Sequence, residues 1–235
     1  MSAAAASDAP RVTSPPSPAR ATLHLGLMLG LTFTTGIVDA VGYLGLDRVF
    51  TGNMTGNVVI LAMALTGAGG LPIIGPLLAL VLFVAGAAIA GRTLRSLPAG
   101  WSTRTTVLMA AVAALLAAVG ATSFAVPHTI EGVAYGITGA LGLAMGMQAG
   151  AARHIAVADV TTVVVTSTLV GLAFDSRLGR GAPGHPWIRR LGAIVLLGVG
   201  AAVGALLLRF GLGWPALLAA ATVVTVGVVG HLRRG

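Results

Sequence analysis

Six stretches of this chain, residues 22–46, 72–95, 105–126, 133–152, 191–210 and 214–230, run for 17 to 25 residues with almost no charge. A helix rises about 1.5 Å per residue, so about 20 apolar residues cross the roughly 30 Å hydrocarbon core of a bilayer. Such segments leave little choice of fold. In lipid each backbone N–H and C=O must be satisfied within the protein, which a helix does by itself. Charged residues make up 9% of the 235 and hydrophobic residues 56%, against about 25% charged in a soluble domain. The expected fold class is an all-α integral membrane protein. The net charge of +8 is no nucleic-acid signature, because all fourteen basic residues are Arg and most lie between apolar runs, as in cytoplasmic loops. No cysteine is present, which excludes disulfides, thiolate metal sites and cysteine nucleophiles.

One polar interruption stands out. Residues 49–61, VFTGNMTGNVVIL, place Thr51, Gly52 and Asn53, then Thr55, Gly56 and Asn57, inside apolar sequence. From Gly56 to Gly67 the apolar piece has 12 residues, about 18 Å as a helix, which is too short to cross. Residues 159–172, DVTTVVVTSTLVGL, repeat the theme about 111 positions later. Thr51, Thr55 and Asn57 then align with Thr162, Thr166 and Thr168, and GAAIAG at 86–91 resembles GAAVGA at 200–205.

Arginine placement discriminates between topologies. If both short segments cross, the eight-span chain holds eight Arg inside and six outside; if both are re-entrant, the six-span chain holds twelve inside and only Arg48 and Arg209 outside. The positive-inside rule selects six spans with both termini cytoplasmic. The organisation expected is a disordered Ala/Ser/Pro-rich tail (1–21) and one membrane domain (22–232) in two repeats, 22–126 and 133–230. Three full spans per repeat start the second on the opposite face, which makes the repeats inverted. Inverted repeats with interrupted helices near the midplane are a mark of secondary transporters. Two short helices starting near Thr55 and Thr166 would aim their N-termini at the bilayer centre, a setting that suits an anion.

The segment GIVDAVGYLGLDRVFTGNMTGNVVILAMAL at 36–65 resembles the signature of the YoaK family of bacterial multi-pass membrane proteins. MGMQAGAARH at 145–154 followed by VTTVVVTSTL at 160–169 resembles that family's second motif. The second motif here has Thr166-Ser167 where a Thr-Gly pair is more typical. The resemblance implies a bacterial cell-membrane location. The family is a domain-of-unknown-function group, so it implies no activity.

Asp39, Thr51, Asn53, Thr55, Asn57, Gln148, Thr162 and Thr166 are the candidate lining of a solute cavity. An acid within a span, Asp39 reads either as a coupling or substrate-pairing group or as an acceptor bracing the neighbouring motif. Gln148 reads equally as a second lining group or an interhelical hydrogen bond, and the Thr-rich motifs as ligand contacts or packing devices. The function expected is transport of a small, in particular an anionic, solute, with the lipid bilayer as partner and no nucleic acid, cofactor or metal. A non-transporting structural or regulatory protein is the alternative. No GxSxG, HExxH or paired-carboxylate pattern occurs, so enzyme chemistry is not expected.

Overall fold

A computed structural model describes residues 18–155, 165–176, 179, 181 and 187–234. Among these the chain forms α1 (Pro18–Gly45), α2 (Met54–Leu65), α3 (Ile74–Leu94), α4 (Thr103–Ala125), α5 (Glu131–Ile155), α6 (Val165–Phe174), α7 (Trp187–Leu208) and α8 (Gly213–Leu232), with a 3₁₀ turn at Ala68–Gly70 and no strand. The first helix starts inside the expected tail; residues 1–17, and Thr162 of the second motif, lie outside the described residues. Helices α1, α3, α4, α7 and α8 are long and apolar enough to cross a membrane. The expected fourth span, α5, is long at 25 residues but diluted by Gly and by Thr138 and Gln148. The all-α membrane class holds, and the two motif helices are short, at 12 and 10 residues.

Local chemistry sets the helix ends. Asp47 and Arg48 take left-handed backbone angles (φ 55° and 60°) and stop α1. Ser102 caps α4: its hydroxyl accepts from the Thr105 N–H at 3.1 Å, and the Thr105 hydroxyl accepts from the Ser102 N–H at 3.3 Å, which satisfies two free donors reciprocally. At the other end α4 stops at Ala125, two residues before Pro127, since the residue before a proline is pushed out of helical geometry. Helix α5 opens on Glu131 and closes on Arg153 and His154, charges that complement its dipole.

The three most extensive helix pairings are α3 on α5, α1 on α7 and α4 on α8; α8 also packs on α1, α4 on α5, α2 on α3 and α6 on α7. Two crossings bring backbones together. A Cβ at Gly36 would strike the Leu197 carbonyl, and one at Gly200 the Phe33 carbonyl, so α1 and α7 meet glycine to backbone. The α3–α5 crossing is built alike: Gly86 faces the Leu143 carbonyl and Gly146 the Phe83 carbonyl. Small residues permit this approach, which in lipid replaces the hydrophobic effect as the source of helix association.

Contacts along these pairs fix direction. Gly192, Gly200 and Gly204 of α7 meet Leu29, Phe33 and Ile37 of α1 in turn, so the two helices run parallel; Gly142, Gly146 and Gly150 of α5 likewise meet Ala79, Phe83 and Ala87 of α3. The ends sort onto two faces. On one, Gly45 and Leu46 gather with Ile74, Gly75, His128 and Tyr135, and Phe124 stands edge-on to Trp214 at 5.5 Å. On the other, Arg104 donates to the Thr93 carbonyl at 3.0 Å, Gly100 N–H to the His154 carbonyl at 3.4 Å, and Arg234 to the Thr103 hydroxyl at 2.6 Å. Helix α1 therefore ends on the face where α3 begins. The bundle's outside is apolar: Val81, Val84, Val195, Leu206, Val224 and Val228 are exposed on α3, α7 and α8, far more apolar surface than a soluble monomer presents.

Candidate functional site

After α1 the chain doubles back along it. The Val49 N–H donates to the Gly42 carbonyl at 3.2 Å. Asn57, fully buried in the first turn of α2, then grips the Phe50 backbone at both ends: its Oδ1 accepts from the Phe50 N–H at 2.9 Å, and its Nδ2 donates to the Phe50 carbonyl. The next three residues wrap around Asp39 of α1. Asp39 Oδ1 accepts from the N–H groups of Thr51 (2.9 Å), Gly52 (2.7 Å) and Asn53 (3.3 Å). Glycine is required at 52, where a Cβ would lie 2.7 Å from the Thr35 methyl. Asn53 then starts α2 by accepting the Gly56 N–H at 3.4 Å. Asp39 lies six residues before the end of α1, about 9 Å down its axis, so α2 starts at depth and not at the surface.

These elements border a half-open cavity of about 690 Å³. Thr35, Asp39 and Tyr43 of α1 form one wall. Phe50, Gly52 and Asn53 form the second, and Thr55, Gly56, Val59 and Ile60 of α2 the third; Val165 and Thr166 of α6 and Leu197 of α7 complete its described lining. The Tyr43 and Phe50 rings stack with centroids 5.0 Å apart. The first turn of α2 and the first described residues of α6 thus border one space.

Of the expected lining residues, Asp39, Asn53, Thr55 and Thr166 face this cavity. Thr51 and Asn57 do not: Asn57 is the clamp on Phe50, and Thr51 is fully buried with its hydroxyl unpartnered. Gln148 is also absent from the wall. Fully buried, it reaches from α5 to α1, where its Nε2 donates to the Leu31 carbonyl and the Thr35 hydroxyl, both at 3.2 Å. Thr35, Tyr43 and Phe50 were missed. The first two had a signal, for Thr35, Asp39 and Tyr43 recur every fourth residue and so share one helix face. The loop N–H groups just before α2 are engaged by the protein's own Asp39 carboxylate, which sets a negative charge beside the helix N-terminus that sequence offered to an anion.

Residues 27–230 match the family described as a protein of unknown function (DUF1275). The chain belongs to the DUF1275 family. The match runs from within α1 to within α8, so α2 to α7 and most of α1 and α8 of this DUF1275 protein are family sequence. The UPF0700 transmembrane protein YoaK of Bacillus subtilis (strain 168) is 35% identical over 152 residues, which cover 62% of this chain. The chain spans 64% of that relative's length. The resemblance to the YoaK family is thereby shown, and with it, and with several apolar helices, a multi-pass membrane protein. No solved structure matches the chain.

Proposed function

We propose that this DUF1275 protein is a permease for a small polar solute, bound in the cavity between the two motif helices. The observation that carries the reading is the ionisable side chain of Asp39, open to a 690 Å³ cavity within the apolar bundle. Intramembrane acids are costly and mark solute or ion paths, and non-helical backbone at depth occurs where it lines a cavity. The cavity also falls within the usual size of small-molecule sites, about 300–1,000 Å³.

The transmembrane arrangement proposed with it has six spans and two re-entrant helices in an inverted repeat. Exchanging α1–α4 for α5–α8 leaves the set of packed pairs unchanged: α3 on α5 becomes α7 on α1, and α2 on α3 becomes α6 on α7. Helix α1 ends where α3 begins and α3 runs parallel to α5, so α1 and α5, which open the two halves, run in opposite directions, and this supports inversion. Arg92, Arg95, Arg104, Arg153, Arg190, Arg233 and Arg234 belong to the helix ends of one face or the segments beside them, while Arg48 and Arg209 belong to the other. The first face is taken as cytoplasmic, with both termini on it, in the plasma membrane of a bacterium. Because the Asp39 carboxylate is on the cavity wall, the charge of the site favours a neutral or cationic solute over an anion.

The test is flux through proteoliposomes with a mixed panel of small solutes, comparing the native chain with Thr166→Trp. The larger ring fills the cavity from the α6 side without touching the Asp39 loop. Flux of a panel member that Thr166→Trp abolishes supports the permease. Flux unaltered by the plug refutes this cavity as the path. Absence of flux for the whole panel favours the structural or regulatory role.

A further inference from the structure

The charge balance of the cavity is one-sided. Among the described residues its lining contains one formally charged group, the Asp39 carboxylate, and no Arg or His. Asp39 Oδ1 is saturated by three backbone donors, whereas no hydrogen bond among the described residues reaches Oδ2. A carboxylate half-satisfied inside an apolar bundle calls for a positive partner, since a buried charge is stable only when paired. The other polar groups on the wall do not supply one. The Thr35 hydroxyl spends its proton on the Leu31 carbonyl at 3.0 Å, and the Asn53 oxygen is taken by the Gly56 N–H.

The remaining wall next to Asp39 is aromatic. Tyr43 lies one helical turn beyond Asp39 on α1, and its ring stacks on Phe50 at an interplanar angle of 27°. Aromatic faces attract organic cations. A bare metal ion fits poorly: hard cations need about six or more oxygen ligands, and the cavity is far larger than an ion.

We infer that the cavity of this protein binds a solute bearing a charged amine, its ammonium group on Asp39 Oδ2 and its carbon body against the Tyr43–Phe50 rings. The inference deepens the permease reading and rests on it for the fate of the ligand, but binding can be measured without transport.

The full chain, purified in detergent, is titrated with benzylammonium, benzyl alcohol or benzoate, three probes that share a ring and differ in charge, while thermal unfolding is followed. Saturable stabilisation by benzylammonium alone is expected. Asp39→Asn, which keeps an oxygen for the loop N–H groups but removes the charge, weakens it about tenfold or more. Tyr43→Leu, which leaves the Asp39 loop untouched, weakens it about threefold and serves where Asp39→Asn does not fold. Equal stabilisation by the alcohol or benzoate, stabilisation by none of the three, or undiminished benzylammonium affinity in Tyr43→Leu overturns the assignment. Charge movement on a solid-supported membrane after a benzylammonium jump then separates the two readings. Binding without current refutes the permease and leaves the ligand class standing; proteoliposome flux confined to neutral solutes or anions does the reverse.

Discussion

Replacing Asn57 by Ala removes the clamp that holds the motif against α1. The side chain is fully buried and serves both backbone groups of Phe50, the N–H at 2.9 Å and the carbonyl. Alanine supplies neither partner, and water has no access to a residue with zero exposure. A buried backbone group left bare costs about 1–3 kcal/mol, so two such groups set the loss at about 2–6 kcal/mol if the loop stays in place, toward the lower end because the Phe50 groups are part-buried. Asn53→Ala is the matched control. It removes the same amide from an exposed cap whose hydrogen bond is long at 3.4 Å, at a cost of about 1 kcal/mol. Unfolding in mixed micelles of rising SDS content, read by the fluorescence of the three tryptophans, compares the two variants directly. If Asn57→Ala is no less stable than Asn53→Ala, the clamp does not hold the loop, and the depth assigned to the start of α2 falls with it.

Other expectations follow from the packing. With no native cysteine, single cysteines at Gly69 and Thr129 label from outside intact cells, and cysteines at Ser96 and Ser176 only after permeabilisation; external labelling of Ser96→Cys refutes the six-span arrangement. Gly86→Val, set against the Leu143 backbone, loses about 3 kcal/mol or more in the same SDS assay, whereas Gly91→Val, with nothing within 4 Å of its Cβ, stays within about 0.5 kcal/mol of the native chain.

Much of the helical layout was legible because apolar length and polar interruption are local signals. Gly56-to-Gly67 spacing predicts a short helix, and α2 spans Met54–Leu65. The use of the polar groups was not legible. Asp39 finds its partners 12 to 14 residues later, and they are backbone N–H groups, which every residue but proline carries and no sequence pattern marks. Asn57 and Asn53 stand in identical Thr-Gly-Asn units, yet one is a buried clamp and the other an exposed cap, because Asn53 precedes α2 and Asn57 lies a helical turn inside it. Gln148 meets Thr35 across 113 residues, a pairing that only the α1–α5 contact creates.

The three main helix pairings all join the first half of the chain to the second. During synthesis, α1, α3 and α4 therefore emerge before α7, α5 and α8, the surfaces that will bury their glycines. Within the first half only α2 on α3 and a slight α3–α4 contact are available, so its close crossings form only when the later helices thread alongside. Each half is in this sense a template for the other, so a chain cut between α4 and α5 has its complementary pieces already encoded: two fragments made together have a partner surface for every helix, and either one made alone does not.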